Sequence, residues 1–268
     1  MSALVDAYDM VGFDLDGVIY RGPDPVPYAA ETIAELRRRG VRVGFVTNNA
    51  QRAPQAVADH LERLGIPCCI DDVITSAQAT ARIMAEALPP GAEVLIVGSQ
   101  ALADEITAVG LTPVWHRSAS TAAIVLGFDA TLTWEAFNQA CYAVQHGAIY
   151  YACNDDLTRP TDQGIAVGMG GMLAAIRTAL PDVDPIMGGK PARPLLDECR
   201  RRLGGTRPLF VGDRLDTDIE GAVNAGWDSL FVLSGAHTML DLAVAPPHQH
   251  PTYIGEDLRA LLQEPRRA

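Results

Sequence analysis

The stretch VGFDLDGVIY, residues 11–20, carries an apolar run straight into two carboxylates, Asp14 and Asp16. Together with Met10 the run reads as a buried strand, MVGF, that ends in acid. Like charges one residue apart repel each other, so the pair calls for a shared cation. Parallel α/β sheets bind their ligands just beyond the carboxyl ends of their strands, which is where this pair falls.

Working outward, short β-like runs alternate with amphipathic helices, a pattern that predicts an α/β fold with a parallel sheet. VPYAAETIAELRRRG (26–40) places Ala29, Ile33 and Leu36 at helical spacing and stops at Gly40. VRVGFVT (41–47) is the next strand, PQAVADHLERLG (54–65) the next helix, and SAQATARIMAEAL (76–88) a third helix capped by Ser76. After PPG (89–91) the alternation restarts with AEVLIVG, SQALADEITAVG, TAAIVLGFD, TWEAFNQACYAVQHG and AIYYACN. This is large enough for a compact inserted domain. PDVDP (181–185) reads as the linker back, followed by RPLLDECRRRLG, PLFVGD, DIEGAVNAG and SLFVLSG. The expected organisation is a discontinuous core, 1–80 and 186–268, with an inserted α/β unit at 81–185.

At 268 residues, 48% hydrophobic and 20% charged, with mean hydropathy near zero, the chain can bury a substantial core. No apolar run approaches the ~20 residues needed to span a bilayer. The N-terminus has no basic region preceding an apolar one, so a cytoplasmic protein is expected. The five cysteines include no C-x-x-C and read as reduced structural thiols. A formal charge of −12 disfavours nucleic acid and anionic membrane surfaces as partners. The same field opposes a phosphorylated substrate, so a phosphate site here needs local cations.

Other strands also finish in useful residues: Thr47-Asn48-Asn49, then Gly212-Asp213 followed by Asp216 and Asp218, while Lys190 stands in GGKP ahead of a helix. Their convergence would form one acidic cup with a lysine and a hydroxyl at its rim. Such oxygen ligands suit a hard cation, and carboxylates combined with phosphate favour Mg2+. Alone, each motif has a plainer reading as a strand-end turn or a surface lysine. GGKP is no P-loop, because Pro191 replaces the required Ser or Thr. Asp216 reads as a solvated acid and His248 and His250 as part of a proline-rich surface loop.

Taken in order, DLDGV, TNN, GKP and GDRLDTDI resemble the four motifs of the haloacid dehalogenase (HAD) superfamily. The spelling FDLDGVIYRG…FVTNNAQR is similar to its subclass IIA, the C2-capped phosphatases. That resemblance implies a Rossmann-like, doubly wound parallel-sheet core with an inserted α/β C2-type cap. Asp14 would be the nucleophile, forming an aspartyl-phosphate, and Asp16 the acid that protonates the leaving oxygen and then activates water. Thr47 and the Asn48 amide would bind phosphate oxygens, and Lys190 would neutralise charge on phosphate and Asp14. Asp14, the Asp16 main-chain carbonyl, Asp213 and Asp218 would hold Mg2+, Asp218 directly or through water.

NDDLTRPTDQGIAVGMGG resembles the cap loop of that subclass, with matches at Asn154, Asp156, Pro160, Thr161, Gly164, Gly168 and Gly170. Asp155 and Val167 stand where prolines are usual. Asn49, Asn154, Asp156 and Arg159 are the candidates for substrate specificity, with solvation the plain alternative for Arg159.

The implied function is a Mg2+-dependent phosphatase for a small phosphorylated metabolite, glycerol 3-phosphate or a similar polyol or acid phosphate, with p-nitrophenyl phosphate as an artificial substrate. The alternatives are phosphoglycolate, pyridoxal phosphate or nucleoside monophosphates. The acid at Asp16 argues against dehalogenation, since a halide needs no proton to leave. A sugar-phosphate mutase would carry a helical cap just after the first motif, where RGPDPVPYAAE leaves no room. A receiver-type phospho-Asp switch would be far shorter. Cap-mediated dimers occur among relatives, which leaves a homodimer open.

Overall fold

The computed structural model describes residues 2–161, apart from the side chain of Pro160, and residues 163–268. The chain divides into two compact units. The first holds the residues up to Thr47, Pro54–Ile74 and Lys190–Ala268; the second holds Asn48–Ala53 and Thr75–Gly189.

The first unit is built on a six-stranded sheet in the order Tyr253–Gly255, Asp228–Val232, Pro208–Gly212, Met10–Phe13, Arg42–Thr47, Val73–Thr75. Met10–Phe13 lies in the middle, buried along its whole length, and pairs in parallel with both neighbours. A strand covered on both faces needs unbroken apolar character rather than alternation, which MVGF has. From this strand the chain builds outward to one side through Arg42–Thr47. It later returns to build the other side through Pro208–Gly212, so the strand order reverses between Met10–Phe13 and Pro208–Gly212. At such a switch point the flanking connections diverge and leave a crevice beyond the carboxyl ends.

Phe13 aligns with Val211 on one side and with Phe45 on the other. Asp14, Asp213 and Thr47 therefore emerge at the same edge. Ile33 and Leu36 of the helix Ala29–Arg38 and Leu61 of the helix Pro54–Arg63 pack with Val11, Phe13, Val43 and Phe45 as the main core.

The second unit has a five-stranded sheet, Ile186–Met187, Ile149–Ala152, Thr121–Leu126, Glu93–Val97, Thr112–Val114, parallel throughout. Its side chains alternate between two cores. Val94, Ile96 and Val125 meet the helices Ser76–Ala87 and Gln100–Ala108, while Leu95, Val97 and Ile124 meet Trp134–Gln145 and Met169–Ala179. An antiparallel hairpin, Thr158–Thr161 with Gly164–Val167, is appended. Among the described residues no helix is long and apolar enough to cross a membrane.

The structure differs from the sequence reading in several local details. The third helix is capped by Thr75, whose side chain accepts the Gln78 amide while the Gln78 side chain accepts the Thr75 amide. Ser76 is already the first helical residue, while Thr75 keeps the extended backbone of a cap, and the Ser76 hydroxyl instead donates to the Asn48 carbonyl at 2.6 Å. That helix goes with the second unit rather than ending the core at 80, since Ala77, Ala81 and Met84 pack with Leu102 and Ile106. PDVDP is not the return linker, because Ile186–Met187 still pairs with Tyr151–Ala152. The chain changes units at Gly189–Lys190. The expected closing helix of the tail is a 3-10 segment, Leu258–Leu262.

Candidate active site

Asp14 continues the strand by one hydrogen bond, its amide donating to the Val211 carbonyl at 2.9 Å. The chain then turns sharply. The amides of Ile19 and Tyr20 both donate to the Leu15 carbonyl, and Gly17 takes φ +87, a left-handed conformation that glycine adopts without steric cost. The Asp14 side chain, 15% exposed, faces Lys190, whose Nζ donates to Asp14 Oδ1 at 2.6 Å and to Asp218 Oδ1 at 2.7 Å.

Asp218 arrives on a single turn of π-helix, Leu215–Ile219, set between Gly212 and the helix Glu220–Ala225. In that turn the Ile219 amide reaches back five residues to the Arg214 carbonyl. The second oxygen of Asp218 accepts the amides of Asp213 and Arg214, at 3.1 Å each. The same side chain thus caps the turn and faces the lysine.

Asp213 is buried at the end of its strand. Its Oδ2 accepts the Ala236 amide at 2.6 Å, and two glycines wall it in. A Cβ at Gly17 would lie 2.4 Å, and one at Gly235 1.9 Å, from that oxygen. Its Oδ1 is buried without a hydrogen-bond partner, which is rare for a buried acceptor and points to a partner of another kind. One carboxylate oxygen from each of Asp14, Asp213 and Asp218 lies within 4.8 Å of the others.

Burial, reinforced by the Asp218 charge, pushes Asp213 up to about 7. Burial likewise holds Asp14 well above the usual carboxylate range, although Lys190 pulls against it. For Lys190, burial works against the ammonium, but Asp14 and Asp218 outweigh it and leave its pKa raised. Three clustered carboxylates against one ammonium leave the site short of positive charge. The orphaned Asp213 oxygen and an all-oxygen donor set fit a hard divalent cation.

The other sequence candidates fall as follows. Asp16 lies within the turn with an exposed side chain and outside the carboxylate trio. Thr47 is buried at the end of its strand. Asp216 is engaged by Arg214 at 2.7 Å. In the second unit, Asn48 is held by its neighbours: its carbonyl accepts Asn154 Nδ2 at 2.6 Å as well as the Ser76 hydroxyl, and its Nδ2 donates to Asp156 Oδ1 at 3.3 Å. Asn49 accepts the amides of Gln51 and Arg52 and so shapes its own turn. Arg159 is not simply solvated, since its guanidinium lies 4.5 Å over the Phe128 ring.

Gly168 and Gly170 of the cap loop allow close packing, whereas Gly164 takes φ +128 with open space around it. A Cβ at Gly168 would meet the Asp156 carbonyl at 2.2 Å, and one at Gly170 the Asp155 carbonyl at 2.4 Å. The segment Ser234–His237 was not anticipated, although it too follows the carboxyl end of a core strand and could have been sought on that ground.

A family model described as haloacid dehalogenase-like hydrolase matches residues 11–112, and one described as HAD-hydrolase-like matches residues 187–261. The D-glycerol 3-phosphate phosphatase of Mycobacterium tuberculosis is 44% identical over 264 residues, 98% of this chain and 74% of that relative. The chain belongs to the haloacid dehalogenase-like hydrolases. The crystal structure of glycerol phosphate phosphatase from M. tuberculosis in complex with magnesium matches with a TM-score of 0.94 over 98% of this chain and 79% of that one. A 5′-nucleotidase of Bacillus subtilis is 35% identical over 83% of this chain and 86% of its own length. An acid sugar phosphatase of Staphylococcus aureus is 32% identical over 94% and 95%. This HAD hydrolase is a phosphomonoesterase, with the Rossmann-like core and inserted cap of that family.

Proposed function

We propose that the enzyme hydrolyses small phosphomonoesters, glycerol 3-phosphate first among them, at the carboxyl edge of the core sheet, with Mg2+ as the resident ion. The observation that carries this reading is the buried Lys190 ammonium joined to Asp14 and Asp218 beside the orphaned oxygen of Asp213. Lys190 holds Asp14 by Oδ1, which leaves Oδ2 to attack phosphorus as the ester P–O bond breaks. Asp16, on the exposed side of the turn, donates the proton that the departing alkoxide needs. It then takes a proton from water, whose oxygen attacks the same phosphorus, breaks the bond to Asp14 and releases inorganic phosphate. The Thr47 hydroxyl and the main-chain amide that follows it are assigned to phosphate oxygens. Asp14, Asp213, Asp218 and the Asp16 carbonyl would hold magnesium, which supplies positive charge against the anionic phosphate.

The preference for glycerol 3-phosphate is supported by the 44% identity to the M. tuberculosis enzyme. A second reading, nucleoside 5′-monophosphates, is supported by the 35% identity to the B. subtilis nucleotidase. Phosphate release from glycerol 3-phosphate, phosphoglycolate, pyridoxal phosphate, a nucleoside 5′-monophosphate and p-nitrophenyl phosphate, with and without Mg2+, tests both. The expected result is Mg2+-dependent release with the highest kcat/KM on glycerol 3-phosphate. Higher kcat/KM on the nucleotide favours the second reading, and no release from any ester overturns both.

A further inference from the structure

The segment after the strand Asp228–Val232 reaches back to the carboxylate cluster at several points. The Ser234 hydroxyl donates to the Gly17 carbonyl at 2.8 Å, the Ala236 amide to Asp213 Oδ2 at 2.6 Å, and the His237 amide to the Asp213 carbonyl at 3.2 Å. The His237 imidazole makes a further contact, in which its Nδ1 accepts the Leu215 amide at 2.9 Å. A main-chain N–H can only donate, so Nδ1 carries no proton in this contact.

Leu215 opens the π turn. The first amides of any helical segment have no partner within it and must find one elsewhere. Here Asp218 Oδ2 takes the amides of Asp213 and Arg214, and His237 takes the next, that of Leu215. Leu215 is 2% exposed, so without the imidazole its amide has little access to water. An unmatched buried donor is costly, and the turn could escape that cost by unwinding its first residue until the amide reaches water. Removing one residue of winding turns everything beyond it by roughly 100° about the axis. Asp218 could not then face Lys190 and cap its own turn together.

We propose that His237 is a positioning residue for the metal-binding carboxylates. Its Nδ1 holds the Leu215 amide and with it the π register that presents Asp218. The inference rests on reading the trio as a magnesium site, and the test separates the two. Mg2+ alone is titrated calorimetrically into the intact chain and into His237→Leu, His237→Asn, His237→Gln and Asp213→Asn.

In asparagine, Oδ1 occupies the position of the imidazole Nδ1. His237→Asn is therefore expected to bind Mg2+ within about twofold of the parent, whereas His237→Leu, which keeps bulk but no acceptor, binds roughly fivefold more weakly, the scale of one hydrogen bond. In parallel assays the Mg2+ concentration for half-maximal activity should rise in His237→Leu while KM for the ester stays unchanged. Should the leucine variant fail to fold, His237→Gln takes its place, its acceptor lying one bond too far out, and is expected to bind as weakly. Parent-like Mg2+ affinity in His237→Leu, or no recovery in His237→Asn, overturns the positioning role while Asp213→Asn loses binding. Unchanged affinity in Asp213→Asn overturns the magnesium site itself and this role with it.

Discussion

Lys190 and Asp218 form an ion pair at 2.7 Å in which each side chain is 1% exposed. With no water to take over either charge, the pair cannot be separated cheaply, and Asp14 at 2.6 Å draws on the same ammonium. The lysine is therefore both a structural tie and the one ammonium that the two carboxylates share.

Lys190→Met should abolish turnover and lower stability at pH 7 by about 3–5 kcal/mol, the usual result of leaving buried charges without a partner. The raised pKa of Lys190 means its contribution is fully present below the ordinary lysine range, so the loss should be visible at neutral pH. Urea unfolding with and without Mg2+ checks this, and added Mg2+ should recover part of the lost stability.

Asp14→Asn should remove turnover on every ester while leaving the fold intact. Asp16→Asn should instead discriminate among leaving groups. An alkoxide needs a proton and p-nitrophenolate far less, so kcat on glycerol 3-phosphate should fall by roughly 10²–10⁴-fold, and on p-nitrophenyl phosphate by much less. Equal losses on the two esters would remove Asp16 from the acid role.

Gly235→Ala places a Cβ 1.9 Å from Asp213 Oδ2. The same Cβ would lie 2.3 Å from Asp213 Cγ, so the whole carboxylate is crowded. The carboxylate must turn away, and the Mg2+ concentration for half-maximal activity should rise at least tenfold while circular dichroism stays unchanged. A parent-like metal requirement would show that this oxygen does not set the site.

Asp9 lies far from the chemistry and offers a test of stability alone. It accepts the hydroxyl and amide of Thr206 and the amide of Arg207, tying together the starts of two paired strands. The Thr206 hydroxyl foremost, with those amides, lowers its pKa from 3.8 to about 2. A depressed carboxylate stabilises the fold above its unfolded pKa and loses that contribution as pH falls. Urea midpoints should therefore drop between about pH 4 and pH 2, and Asp9→Asn should flatten that part of the profile.

Much of the enzyme was legible along the chain because the decisive signals are local. The unbroken apolar run before Asp14, the helical spacing of Ala29, Ile33 and Leu36, and the order of DLDGV, TNN, GKP and GDRLDTDI each lie within a few residues of one another. Binary pattern and turn chemistry need no tertiary contact to be expressed, so fold class and the acids at the strand ends could be read directly. The capping residue of the third helix could not. Thr75 and Ser76 are equal candidates by type, and the point at which the strand Val73–Thr75 gives way to helix, leaving Thr75 extended, decides between them.

The same holds at the site. That Asp14, Asp213, Asp218 and Lys190 come together depends on strand order reversing between Met10–Phe13 and Pro208–Gly212, which no periodicity encodes. The π register of Leu215–Ile219, the glycines against Asp213 and the His237 contact arise only when a loop from one strand end packs on another. Sequence alone determined which chemical groups were available and on which elements they would sit. Packing decided which of their atoms are matched and which are left facing a cation, because those distances are set by neighbours remote along the chain.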